Sequence, residues 1–224
     1  MDTYLSPHAS DLLWNALAAS WAGVGDAAHD VSHIRRVRAT ALRLFQEEGA
    51  IGDGAALEAA AILHDFVHIE KTDPRRSQAS RLAAEAVAPL LAEAGFTPAQ
   101  IATAQHAIEA HSWSAGIPPR TLEARILRDA DRLDAIGAIG VARCLAVSGR
   151  LRQHLYHPDD PHALERPLDD THHCYDHFAT KLYHLAEGLS TAAAQVEGAK
   201  RVARMKAFWA DLFNEAGEPV PNDL

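Results

Sequence analysis

From Asp30 to Phe45 the apolar positions Val31, Ile34, Val37, Ala41, Leu42 and Phe45 recur at three- and four-residue spacing, which predicts a helix with one buried stripe. Ala55 to Val67 is apolar at nearly every position and predicts a central helix covered on most sides. Ser77 to Ala94 and Pro98 to His111 predict two further helices, separated by Gly95, Phe96 and Thr97. Thr97-Pro98 places a capping residue before a proline at the first helical position, a start signal. Ser114 to Pro119, with Gly116 and two prolines, reads as a loop. Helices are then expected from Thr121 through Asp131 and from Ala135 to Ser148, with a small bend between them. Residues 150–170 are rich in Gly, Pro and Asp and predict an irregular excursion. Two long helices, roughly 171–187 and 191–215, close the chain.

Composition agrees with that pattern. Ala is abundant and β-branched runs are almost absent, which favours helix throughout. The expected fold is all-α. We read residues 1–224 as a single domain, with a core over about 20–150 and C-terminal helices over about 171–215. With 48% hydrophobic residues the chain can bury a substantial core. The net charge of -9 argues against an extended nucleic-acid partner or a membrane surface, because both need a basic face. A small anionic substrate needs only a few local cations. No basic, apolar leader opens the sequence and no apolar run approaches ~18 residues, so a cytoplasmic location is expected. Cys144 and Cys174 form no thiol metal motif and read as two reduced, partly buried thiols.

Three segments concentrate the polar residues that could do chemistry. The first runs from Asp26 through His29, Asp30 and His33 to Arg35, Arg36 and Val37, and opens the second helix. The second, Ala60-Ala61-Ile62-Leu63-His64-Asp65 followed by His68, ends the apolar helix. The third is Arg128-Asp129-Ala130-Asp131-Arg132-Leu133-Asp134. A carboxylate and an imidazole directly after Ala-Ala-Ile-Leu sit where water is scarce, and a buried carboxylate needs a cationic or metal partner. Imidazole nitrogens with carboxylate oxygens suit Mn, Fe, Co, Ni and Zn. Adjacent helical residues point about 100° apart, so further ligands must come from other helices.

His33, His64-Asp65 and Asp131 match the H…HD…D pattern of the HD-domain superfamily of metal-dependent phosphohydrolases. The segments Asp26–Val37, Ala60–Asp65, His111-Ser112, Asp129–Arg143 and His177-Phe178 with Lys181-Leu182 further resemble its small bacterial single-domain, YedJ-like members. The resemblance spans roughly residues 20–215. It implies a helical bundle with one buried divalent ion (Mn, Co, Ni, Fe, Mg or Zn) held between helices by His33, His64, Asp65 and Asp131, with room for a second. Asp131 is preferred to Asp129 and Asp134 because Ala-Asp-Arg-Leu is similar to the corresponding stretch of guanosine tetraphosphate hydrolases. Those enzymes carry a Glu-Asp pair shortly after the HD dipeptide; here His68-Ile69 stands there, a departure from that reaction.

Two imidazoles and two carboxylates leave coordination positions open, the mark of a catalytic site. An ion there can acidify water and neutralise phosphoryl charge. The expected reaction is attack of metal-bound water on a phosphomonoester or on a nucleoside triphosphate with release of pyrophosphate. Asp65 is a candidate to orient the water, and His68, four residues after His64, a candidate general acid if the helix continues. Lys71 and Arg75, with Arg76, lie in a loop that could clamp phosphate, and Arg36 and Arg132 lie near the ligands in sequence. His111 ends a helix and is placed to line the pocket or to hold a second ion. Asp26, His29 and Asp30 read as caps or supports for the ligand helix. His173 and His177 have metal-ligand spacing but no third partner in the sequence. A di-iron oxygenase would draw two extra ligands from His68, His106 and His111, and a non-catalytic nucleotide sensor is the third reading. Self-association as a homodimer is compatible with all three.

Overall fold

The computed structural model describes residues 3–22, 31–69 and 73–220. By its internal contacts the chain divides into two compact units, residues 1–131 and 132–224. Among the described residues the regular structure is helical, apart from an isolated bridge between His154 and His173.

The first unit is built around a short, almost wholly apolar helix. Its elements are α1 (Pro7–Ser20), α2 (Val31–Glu47), α3 (Gly54–Leu63), α4 (Ala79–Glu93), α5 (Pro98–His111) and most of α6 (Leu122–Asp134). Asp53 caps α3 by accepting from Ala56 N at 2.9 Å, and Ala56 through Leu63 are all buried. α1, α2 and α5 pack on α3, and α4 packs on α5. Full burial of side chains such as Leu57, Ile62 and Leu63 contributes about 1.5–3 kcal/mol each. Within this apolar sleeve Glu58 is fully buried, with Arg38 paired to it and Thr3 Oγ1 donating to it at 2.9 Å. The expected Thr97 cap of α5 is present, and Gln100 bonds back to it to complete a capping box.

α3 ends sooner than the hydrophobic run predicts. Regular helix stops at Leu63, His64 is the capping residue, and Phe66 N turns back to Leu63 O at 3.0 Å. His64 competes for the helical carbonyls by donating through Nδ1 to Ala61 O at 3.0 Å.

In the second unit α7 (Gly137–Leu151) packs against α9 (Ala192–Ala216). Only glycine fits at position 140, where a Cβ would strike the Ala135 carbonyl. The expected long helix over 171–187 is instead broken. A single α-turn, α8 (Cys174–His177), runs into a π-helical stretch, Phe178–Leu182, and then a 3-10 turn, Tyr183–Ala186. The excursion before it is pinned by its own acids. Asp160 accepts from the backbone of Leu164, Glu165 and Arg166, and buried Asp176 takes Arg166 Nη2 at 2.9 Å. The two thiols, distant in sequence, meet here: Cys144 Sγ lies 3.6 Å from Cys174 Sγ.

Candidate metal centre

His33 faces inward from the first turns of α2, and His64 and Asp65 follow the last turn of α3. His111 ends α5 and Asp131 lies in the last turn of α6. His33 Nε2 is 3.8 Å from Asp65 Oδ2 and 3.4 Å from Asp131 Oδ1. His64 Nε2 is 3.6 Å from Asp65 Oδ2 and 4.0 Å from Asp131 Oδ1. His111 Nε2 lies 3.7 Å from Asp65 Oδ1, and its ring meets the His64 ring edge-on at a 4.9 Å centroid separation. Two overlapping sets, His33–His64–Asp131 and His64–Asp65–His111, each keep their ligand atoms within 4.8 Å of one another.

These separations are too long for direct hydrogen bonds. They suit donors sharing an ion at bond lengths of roughly 2.0–2.2 Å, which sets neighbouring donors about 3–4 Å apart. The imidazoles are oriented for that role. His64 and His111 each spend Nδ1 on a carbonyl of their own helix, Ala61 O at 3.0 Å and Ile108 O at 2.6 Å. This fixes the tautomer and turns the Nε2 lone pair into the centre. His64 Nε2 is buried and makes no hydrogen bond. Burial lowers the His64 pKa from 6.5 to about 4, against the opposing pull of Asp65, so this imidazole is neutral and ligand-competent. Both imidazoles of the first set are buried, whereas Asp65 and Asp131 keep 25% and 32% of their side chains exposed, which leaves an approach from solvent. The donors present therefore fit a divalent ion.

Two residues that the sequence did not single out hold this arrangement. Trp21 donates its indole N–H to Asp65 O at 3.0 Å, anchoring the turn after α3. Arg128, buried in α6, donates through Nε to Ala110 O at 2.8 Å and through Nη2 to Ala110 O and Ile117 O. It thereby ties the end of α5, where His111 sits, to the helix that carries Asp131.

The cations and outlying histidines fall in varied places. Arg36 is half-buried one turn beyond His33. His68 is half-buried beyond the end of α3, so the continuing helix that would align it with His64 is absent. Arg75 forks onto Asp73, with Nη2 to Oδ2 at 2.9 Å, and Arg76 donates to Ile69 O. Lys71, Asp26, His29 and Asp30 lie outside the described residues. His106 turns to Glu109 at 3.0 Å and accepts from Arg120 N, joining neither ligand set. Asp129 and Asp134 are buried outside both sets, and Asp134 takes Arg143 Nη1 at 3.0 Å. In the second unit Arg132 donates to Gly188 O, and His177 pairs with Asp170 at 3.0 Å.

Residues 30–136, which contain every member of both ligand sets, match the family model of the HD domain. Over that stretch the chain is similar to the HD-domain superfamily. It is 29% identical over 171 residues to YpgQ of Bacillus subtilis, covering 75% of this chain and 74% of that one. The crystal structure of YpgQ in complex with ADP superposes with a TM-score of 0.67 at 26% identity, over 92% of this chain and 97% of that one. An HD-superfamily hydrolase from Bacillus thuringiensis gives a TM-score of 0.70 at 28% identity, over 94% of this chain and all of that one (100%). The buried His/Asp cluster is consistent with the metal site of the HD superfamily. Among the described residues no helix is long and apolar enough to cross a membrane.

Proposed function

We propose that the whole chain acts as one metal-dependent HD phosphohydrolase. Its substrate is a nucleotide, hydrolysed either as a phosphomonoester or as a nucleoside triphosphate that yields the monophosphate and pyrophosphate. The observation that carries this reading is the convergence of His33 from α2, His64 and Asp65 from the end of α3, and Asp131 from α6, with the His64 lone pair buried and unbonded. The ADP complex of YpgQ supports a nucleotide as the ligand class.

In this reading those four residues hold one divalent ion. When bound, the ion supplies charge neutralisation at the phosphoryl oxygens and acidifies water. Asp65, half-exposed between His64 and His111, orients the attacking water through a carboxylate oxygen. His111 presents an acceptor Nε2, because its Nδ1 proton is committed to Ile108 O, and so can take up the proton released on attack. His68, carried on the turns after α3 rather than on a helical face shared with His64, is assigned the general acid for the leaving group. Arg36, Lys71 and Arg75 bind phosphate, and the exposed Arg75 exchanges its half-buried Asp73 partner for a substrate oxygen. The di-iron reading is less well supported, since His106 is engaged elsewhere.

The test is reconstitution of chelator-treated protein with Mn, Co, Ni, Mg, Fe or Zn and incubation with nucleoside mono-, di- and triphosphates, with Asp65→Ala in parallel. Metal-dependent product release that is lost in the variant is expected, and phosphate versus pyrophosphate fixes which bond breaks. No release with any metal, or oxygen consumption with two irons per chain, overturns the proposal.

A further inference from the structure

Among the described residues Trp113 is the one aromatic side chain that is exposed rather than buried or half-buried, at 68% exposure. It opens a 3-10 turn, Trp113–Ala115, two positions after His111. That turn closes on Gly116, whose φ of 66° places it in the left-handed region open to glycine.

The exposed indole is not loosely held. The Arg128 guanidinium lies 5.8 Å from the indole centroid, within cation–π range. The same guanidinium is fixed by the carbonyls of Ala110 and Ile117, which bracket His111 and the Trp113 turn. One buried cation therefore sets His111 toward the ligand cluster and supports the ring beside it. The 3-10 turn Arg76–Gln78 packs against the Trp113 turn, so phosphate-binding cations and a large π-surface occur in adjoining segments. A preorganised indole open to solvent is a stacking surface for a planar heterocycle, because little conformational freedom is lost on contact.

We infer that Trp113 is the base-stacking residue of this site, binding the purine or pyrimidine ring of a nucleotide whose phosphates face the His33–Asp131 cluster. The inference rests on the nucleotide reading above. It assigns recognition of the base to the turn after α5 and recognition of the phosphates to the metal centre and its cations. A substrate with phosphates but no base uses only the second part.

The experiment compares the metal-loaded protein with Trp113→Ala and Trp113→Phe, using ATP and inorganic tripolyphosphate as substrates and ADP as an equilibrium ligand. Loss of one base–aromatic stack predicts a rise of about 5- to 100-fold in KM for ATP and in Kd for ADP. KM for tripolyphosphate and kcat for both substrates stay unchanged, and Trp113→Phe recovers part of the loss. An equal loss on ATP and tripolyphosphate, or no loss on ATP and ADP, overturns the stacking role while leaving the hydrolase reading intact. ADP binding that depends on Trp113, in a protein that hydrolyses neither substrate, supports stacking and overturns the hydrolase. Absence of both binding and turnover overturns both.

Discussion

The indole of Trp21, at the end of α1, donates a hydrogen bond to the backbone carbonyl of Asp65 at 3.0 Å. Asp65 follows the helix terminus, where a backbone has fewer helical partners to hold it. Trp21 supplies one from outside α3. Trp21→Phe keeps the ring and removes the donor, and metal affinity should fall about 10- to 100-fold, the usual consequence of losing a support behind a ligand. Isothermal titration with Mn checks this, with thermal unfolding of the metal-free protein as the control for packing.

The metal-free protein should lose stability in mildly acidic solution through His64. Its pKa is about 4 in the folded chain against 6.5 for the free imidazole. Between those values the unfolded chain binds a proton that the native chain refuses. The contribution is therefore complete above pH 6.5, falls as the pH drops toward 4, and levels off below it. The full loss is roughly 3 kcal/mol, from about 1.36 kcal/mol per pH unit. Urea unfolding of wild type and His64→Asn across this range should show a steeper pH dependence in wild type.

Asp176 is fully buried against Arg166 and also accepts from Asp169 N at 2.7 Å. Asp176→Asn removes the charge but leaves the guanidinium partly buried, so a loss of about 3–5 kcal/mol is expected. Hydrogen exchange should show the backbone bonds of residues 164–166 to Asp160 opening first.

The Cys144 and Cys174 thiols are close enough to react with one another. The hydrogen bond from Cys144, followed by one from Ser148, lowers the Cys174 pKa to about 7, while Cys144 is pushed upward by the same contact and by burial. With hydrogen peroxide, two thiols and one peroxide give one disulfide and two waters. The rate should rise as the pH passes 7. Non-reducing peptide mapping should recover a 144–174 cross-link, and Cys144→Ser should abolish it.

Much of this molecule is written locally. The three-and-four spacing of α2 and the Thr97-Pro98 start of α5 mark those helices within a few residues, because caps and stripes are short-range devices. The helical end of α3 was hidden, because Phe66 and Val67 continue the apolar run while the His64 side chain and the 3-10 bond to Leu63 O end the helix. The break over 174–186 was hidden for a similar reason: its sequence has no proline or glycine to mark it. His64 and Asp65 stood out as polar residues at the end of an apolar run, whereas His33 and Asp131 were marked by the resemblance to the HD pattern. Trp21 and Arg128 did not. Their value lies in carbonyls far along the chain, and a tryptophan or arginine carries no local sign of which carbonyl it will meet. The proximity of Cys144 and Cys174 belongs to the same class.

The donors of the centre come from the start of α2, the end of α3 and the last turn of α6, with His111 from the end of α5. Apart from adjacent His64 and Asp65, no helix brings two of them together, so a partly folded chain has no place to hold an ion tightly. The ion then acts on the departure from the native state rather than on the approach to it. Loaded protein should unfold more slowly and refold at the same rate, so that metal supply raises the folded population solely by lengthening the life of each folded molecule.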